Sequence, residues 1–217
     1  MYMLKSNSQL NQDINVLSFY NNLRNGYFIE IGASDGVSLS NTYLLEKEYE
    51  WKGICVEPIT DEFNKLIKNR KSLCSNRAIY SESNKSLDFV IKNCTLCSGL
   101  INTMDENITI DNIVYDRSVS HDKKEIIKVN TITLNDLLDQ ANAPKFIEYL
   151  SLDTEGSELE ILKSVDLNKY TFGLIDVEHN FVEPRRTNIH NLLTTNNYKF
   201  NKQNNFDDQY IHMSLIK

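Results

Sequence analysis

Apolar runs bounded by turn residues alternate with helical patterns along this chain, which predicts an α/β fold with a doubly wound, mostly parallel sheet and helices on both faces. Two further observations fix where its site should lie. The first apolar run, Tyr27 to Ile31, breaks into a small glycine-containing turn, Gly32-Ala33-Ser34-Asp35-Gly36. Three runs end in a carboxylate: Ile54 to Glu57, Phe146 to Asp153 and Phe172 to Glu178. In open α/β sheets ligands bind beyond the carboxyl ends of the strands, so these acids are expected to converge on one crevice.

With 217 residues, 41% hydrophobic and 24% charged, the chain is expected to form one domain over residues 1–217. No apolar run approaches the roughly 20 residues that span a membrane, and the N-terminus lacks the basic-then-apolar pattern of a signal peptide. A cytoplasmic location without membrane association is the expectation. A net charge of −7 weighs against a nucleic-acid partner, because phosphate neutralisation supplies most of that affinity. Cys94-Thr95-Leu96-Cys97 is a lone CxxC without a second pair at zinc spacing, so reduced, unligated thiols are expected.

Taken in order, apolar positions from Leu10 to Leu23 predict a leading helix over about residues 7–24, stopped by Gly26. Ser40-Asn41-Thr42 reads as an N-cap cluster for a helix through Tyr43, Leu44, Leu45 and Tyr49. Trp51-Lys52-Gly53 leads into the second strand, and Pro58 turns the chain after Glu57. Phe63, Leu66, Ile67 and Arg70 mark the next helix with Thr60 as its cap, and Ala78-Ile79-Tyr80 reads as a short third strand. Leu87 to Ile91 alternates as an antiparallel excursion. Residues 93–124 are polar and form a long insertion of the kind that is functional or mobile. Order returns at Ile126 to Val129, and Thr133 to Leu138 resembles a capping-box helix. The strand ending at Asp153 is followed by a helix through Leu159, Ile161 and Leu162, capped near Ser157. After the strand ending in Glu178-His179-Asn180 comes a helix with Ile189, Leu192 and Leu193. Tyr198 to Phe200 and Tyr210 to Leu215 pair as a closing antiparallel hairpin.

The turn discriminates between cofactors. A dinucleotide fingerprint requires G-x-G-x-x-G, but Ser34 stands where its second glycine should be, and Asp35 would set a negative charge beside a pyrophosphate. S-adenosylmethionine carries no phosphate, and its ammonium and sulfonium tolerate nearby acids. Glu57 closes the second strand about 20 residues after the turn, where an acid accepts from both ribose hydroxyls.

The stretches YFIEIGASDGVSLSNTYLLEKEYEWKGICVEP, FIEYLSLDTEGSELEIL and LIDVEHN together resemble the FkbM-type methyltransferases. The likeness runs from Tyr27 to Asn180, with the following helix and hairpin in the expected order, and is weakest between Asn93 and Lys124. It implies a Rossmann-like class I methyltransferase fold, S-adenosyl-L-methionine as donor and methyl transfer to oxygen, with substrate choice residing in the insertion.

On that reading Gly32 and Gly36 shape the turn against the methionine moiety, and the N–H groups of Ala33 and Ser34 face its carboxylate. Glu30 is expected to hold the ammonium. Asp35 and Asn41 either contact the cofactor or cap the local chain. Glu57 with Pro58 holds the ribose, and Ala78 and Ile79 flank the adenine. Asp153 orients the acceptor, serves as general base or binds a divalent cation, with Glu155, Glu178 and His179 sharing that work. A magnesium or manganese ion, if present, would take Asp153, Glu178 and His179. The structural alternative is that Glu155 or Glu158 simply favours the following helix N-terminus. The acceptor class is a small-molecule or glycan hydroxyl. The competing classes are a non-catalytic binding module for S-adenosylmethionine or a nucleotide, a nicotinamide oxidoreductase and, disfavoured by charge, an RNA methyltransferase.

Overall fold

The computed structural model describes residues 5–104, 107–110, 113–116 and 123–216. In chain order the strands and helices are α1 (Gln12–Phe19), β1 (Tyr27–Ile31), α2 (Tyr43–Tyr49), β2 (Lys52–Val56), α3 (Thr60–Asn69), β3 (Leu73–Ser75), β4 (Ala78–Ile79), β5 (Ser86–Lys92), β6 (Gly99–Leu100), β7 (Asn107–Ile110), β8 (Ile113–Asp116), β9 (Lys123–Ile132), α4 (Leu134–Gln140), β10 (Phe146–Leu152), α5 (Glu158–Ser164), β11 (Thr171–Glu178), α6 (Arg185–Thr195), β12 (Tyr198–Asn204) and β13 (Asp207–His212).

Side chains that alternate along each strand build two cores, one per sheet face. Ile29, Ile31, Ile54, Val56, Leu150, Leu152, Ile175 and Val177 face the buried residues of α4, α5 and α6. Phe28, Cys55, Tyr149 and Leu174 face those of α1, α2 and α3. The sheet between them runs β12-β13-β11-β10-β1-β2-β3. Its five members from β11 to β3 pair in parallel, and β13 is antiparallel to both neighbours. This is the expected α/β architecture, closing hairpin included, except that its second strand ends at His212 and Met213–Leu215 forms a 3-10 turn.

Register places the site. Ile31 pairs with both Val56 and Leu152, and Leu152 pairs with Val177. The next residue on each strand (Gly32, Glu57, Asp153 and Glu178) therefore comes level at one edge of the sheet.

Several expectations need correction. The third strand of the main sheet is β3, not Ala78-Ile79-Tyr80; Ala78 and Ile79 pair instead with Thr131 and Ile132 in a second sheet, β4-β9-β5-β6. The chain turns between them because the Asn76 amide donates back to the carbonyls of Glu57 and Pro58, at 2.8 and 3.1 Å. The leading helix is shorter than expected. Asn11, Asn21 and Asn22 have positive φ, which asparagine tolerates but a helix does not, and they bound α1 on either side. Ile59, not Thr60, occupies the N-cap position of α3. The excursion at Leu87 to Ile91 is antiparallel as expected, but its partner is β9 and part of the insertion joins it through β6. Within the insertion, β7 and β8 pair as a hairpin, while residues 105–106, 111–112 and 117–122 lie outside the described residues.

The capping motif at α4 is closed by a distant residue. Thr133 Oγ1 accepts from Asp136 N at 3.1 Å. The Thr133 N–H goes to Ser83 Oγ at 2.8 Å, and Ser83 Oγ donates to the Asp136 carboxylate. Among the described residues, no helix is long and apolar enough to cross a membrane.

Candidate functional site

A cavity of about 430 Å³ opens over the level strand ends, within the range of small-molecule and cofactor sites. One side is apolar, with Val56, Ile59, Ala78, Ile79, Phe89 and Leu100. The other is acidic, with Asp153, Glu155, Asp176, Glu178 and Asp207. Glu57 and Pro58 stand where β2 delivers the chain to it. The Ser8–Leu39 bridge joins the N-terminal segment to the loop before α2, and Gln9, Gln12 and Leu39 line the same space.

The turn after β1 uses its own donors. The N–H groups of Gly32 and Ala33 both reach Val56 O, at 3.0 and 2.9 Å, and Ser34 N reaches Glu57 Oε2 at 3.0 Å. The expected N–H contact from Ala33 and Ser34 to a ligand carboxylate is therefore not what the turn provides, because β2 lies close enough to take those donors. Gly32 has φ +90°, and a Cβ there would stand 2.0 Å from Asp153 O, so only glycine lets β1 and β10 converge here. Gly36 does not line the cavity. At φ +78° it packs under α3, where a Cβ would meet Leu66 Cδ1 at 2.5 Å.

Glu57 is buried and accepts from Ser34 N at 3.0 Å and Ile59 N at 2.7 Å, one on each oxygen. Burial pushes its carboxyl up to about 7 despite those bonds. Each oxygen keeps a lone pair, a spacing that matches a ribose diol. Asn41 lines the cavity; its Nδ2 donates to Ser151 Oγ at 2.9 Å and its buried Oδ1 has no hydrogen-bond partner.

Glu30 lies away from the cavity on the opposite sheet face, so the expected ammonium contact is replaced by an internal network. It accepts from Ser40 Oγ, Asn41 N and Thr42 Oγ1 at 2.7–3.0 Å, and from Arg70 Nη1 at 3.2 Å. Arg70, fully buried, also reaches Glu46 Oε2 at 2.9 Å. Asp35 likewise faces its own loop. Partial burial would raise its carboxyl, but the N–H groups of Val37 and Ser38 and the Ser38 hydroxyl hold it below the ordinary range.

The acidic side gathers Asp153, Glu155 and Glu178, each with an oxygen within 4.8 Å of the others. Burial, and then the neighbouring carboxylates, push Asp153 and Glu178 well up. Two carboxyls this close cannot both ionise freely, so a shared proton or a cation is favoured between them. Glu178 Oε2 is buried without a hydrogen-bond partner. His179 does not join this group. Its Nδ1 accepts from Phe181 N at 2.9 Å, which puts the ring proton on Nε2, 3.4 Å from Asp208 Oδ1. Glu155 takes the place expected of it in any metal set. Three oxygen donors have the chemistry of a hard-cation site, though fewer than the six or more ligands such ions take. Glu158 builds the loop, its Oε1 accepting from Thr154 N, Thr154 Oγ1 and Gly156 N at 2.9–3.0 Å.

Sequence reasoning missed Gln12, Asp176, Asn180 and Asp207. Asp207 accepts from Gln12 Nε2 at 2.7 Å, and Asp176 from Tyr149 Oη and Gln209 Nε2, both at 2.8 Å. Burial raises both acids to about 6. A signal for Asp176 was present: an acid inside an otherwise apolar run demands a buried partner. No such signal marked Gln12, which arrives through the fold of the N-terminal segment.

The family model described as the Methyltransferase FkbM domain matches residues 30–201. No curated protein matches the chain. Among solved structures, the precorrin-6y C5,15-methyltransferase of Geobacter metallireducens is similar at 12% identity and a TM-score of 0.46, over 97% of this chain and 92% of that one. A SAM dependent methyltransferase from Aquifex aeolicus is similar at 11% identity and a TM-score of 0.40, over 93% and 89%.

Proposed function

The chain belongs to the FkbM methyltransferase family, and from that premise we propose that it transfers the methyl group of S-adenosylmethionine to a hydroxyl of a small molecule or glycan. The observation that carries this reading is Glu57, a buried acid at the head of the cavity with a free lone pair on each oxygen. Beside it Ile59, Ala78 and Ile79 form an apolar wall suited to an adenine ring. Asn41 Oδ1 is the unfilled acceptor for the ammonium, in the role first expected of Glu30.

Bound there, S-adenosylmethionine supplies an electrophilic methyl group: its S–CH3 bond breaks, the electron pair returns to sulfur and an O–CH3 bond forms. The chain's part is alignment and proton removal. In-line displacement at carbon is governed by geometry, which the level strand ends hold. The ionised member of the Asp153–Glu178 pair accepts the hydroxyl proton, and burial together with the neighbouring carboxylates raises its proton affinity in the direction that task needs. A magnesium or manganese ion on Asp153, Glu155 and Glu178 would be the alternative means of activating the hydroxyl, and turnover before and after EDTA separates the two. Incubation with labelled methyl donor and varied acceptors distinguishes an enzyme from a binding module. Asp153→Ala should lower turnover by at least about 100-fold while S-adenosylhomocysteine affinity changes little; equal loss of both would remove the catalytic assignment.

A further inference from the structure

The acceptor's chemistry can be read from what the cavity lacks and what it leaves open, given the methyltransferase reading above. Its described lining residues include acids from the ends of β2, β10 and β11 and the start of β13, and no lysine, arginine or histidine. Some of those acids already have partners within the chain. Glu57 accepts from two backbone N–H groups, Asp176 from Tyr149 and Gln209, and Asp207 from Gln12. Asp153 and Glu178 face each other instead, and Glu178 Oε2 has no hydrogen-bond partner.

A second, independent atom belongs to a residue lining the same cavity. Two residues beyond Glu178, Asn180 Nδ2 is also buried without a partner, and both side chains line the cavity. Glu178 is 6% exposed and Asn180 5%. An open acceptor and an open donor, both buried, are costly unless a ligand fills them. The acceptor stands among like charges and therefore suits a cation that can donate; the donor suits an oxygen. A phosphate or carboxylate of the acceptor placed against Asp153 and Glu178 would be repelled. A neutral alcohol would satisfy both hydrogen bonds but leave the negative charge uncompensated. A divalent cation would compensate the charge but leave Asn180 Nδ2 without a partner.

We propose that the acceptor is an amino alcohol, such as an amino sugar or aminated polyol, whose ammonium sits on Glu178 and Asp153 while its neighbouring hydroxyl oxygen accepts from Asn180 Nδ2. That hydroxyl is then held beside the carboxylate pair that takes its proton.

The test is a calorimetric titration of the full chain saturated with S-adenosylhomocysteine, near neutral pH, with glucosamine, glucose, glucosamine 6-phosphate and magnesium chloride as probes. Glucosamine should bind at least about tenfold tighter than glucose or glucosamine 6-phosphate. Glu178→Gln should erase the preference over glucose, and Asn180→Ala should weaken both sugars, each leaving S-adenosylhomocysteine affinity unchanged. Equal binding of glucose, no binding of glucosamine, or displacement of glucosamine by magnesium would overturn the proposal while the cofactor reading stood. Failure to bind S-adenosylhomocysteine would overturn the function itself, and this proposal with it.

Discussion

At Arg70 one buried guanidinium answers two buried carboxylates. Its side chain is fully buried, those of Glu30 and Glu46 are 4% and 5% exposed, and it bonds both while lying over the Phe28 ring at 5.3 Å. Removing one partner from such a network leaves uncompensated buried charge, which costs about 3–5 kcal/mol. Arg70→Ala should therefore destabilise the protein by about that amount in urea unfolding, and a loss under about 1 kcal/mol, the level of an exposed pair, would refute the network. At this scale the sequence was a partial guide. The place of Glu57 at the cavity was legible because a strand end fixes where an acid there stands. Glu30 was misassigned: one step back along the strand reverses the face, and its partner Arg70 is 40 residues away, just past the end of α3. His179 was misread for a similar reason, since its neighbour in the chain, Glu178, faces the cavity while its own ring faces Asp208.

Among the elements, the long strands β1, β2, β10 and β11 were legible because apolar runs that end abruptly have few other uses in an α/β chain. The short ones were not. Two residues of β4 and three of β3 carry no period, and only the Asn76 turn decides which of them joins the main sheet. The cap of α4 shows the same division. Thr133 and Asp136 were visible as a pair, but Ser83, 50 residues earlier, completes the motif. Thr133→Ala should cost about 1 kcal/mol of stability, measured as a shift of the urea midpoint at constant slope. A change confined to the slope would mean that the substitution acts on the unfolded chain instead.

Across the whole molecule, folding gathers acids into a space from which water is partly excluded. Glu57 is raised to about 7 and Asp176 and Asp207 to about 6, burial being the first cause for each. Their unfolded values lie near 4, so between there and about pH 7 the folded state holds more protons than the unfolded one. Stability of the unliganded protein should accordingly fall as pH rises through that interval. Asp35 and Asp208 have the opposite shift, and their contribution is lost only below the ordinary carboxylate range. Thermal unfolding from about pH 5 to 8 checks this, and stability that rises over that span would contradict the burial of these acids. A cationic ligand should flatten the curve by compensating the charge.

In the proposed function the level ends of β1, β2, β10 and β11 form an S-adenosylmethionine site organised by Glu57. Calorimetric titration of S-adenosylhomocysteine into the wild-type chain and into Glu57→Ala tests it most directly. The wild type should bind saturably, with an affinity at least about tenfold lower in the variant. A folded wild-type protein that gives no binding, or a variant that binds as tightly as wild type, would contradict it.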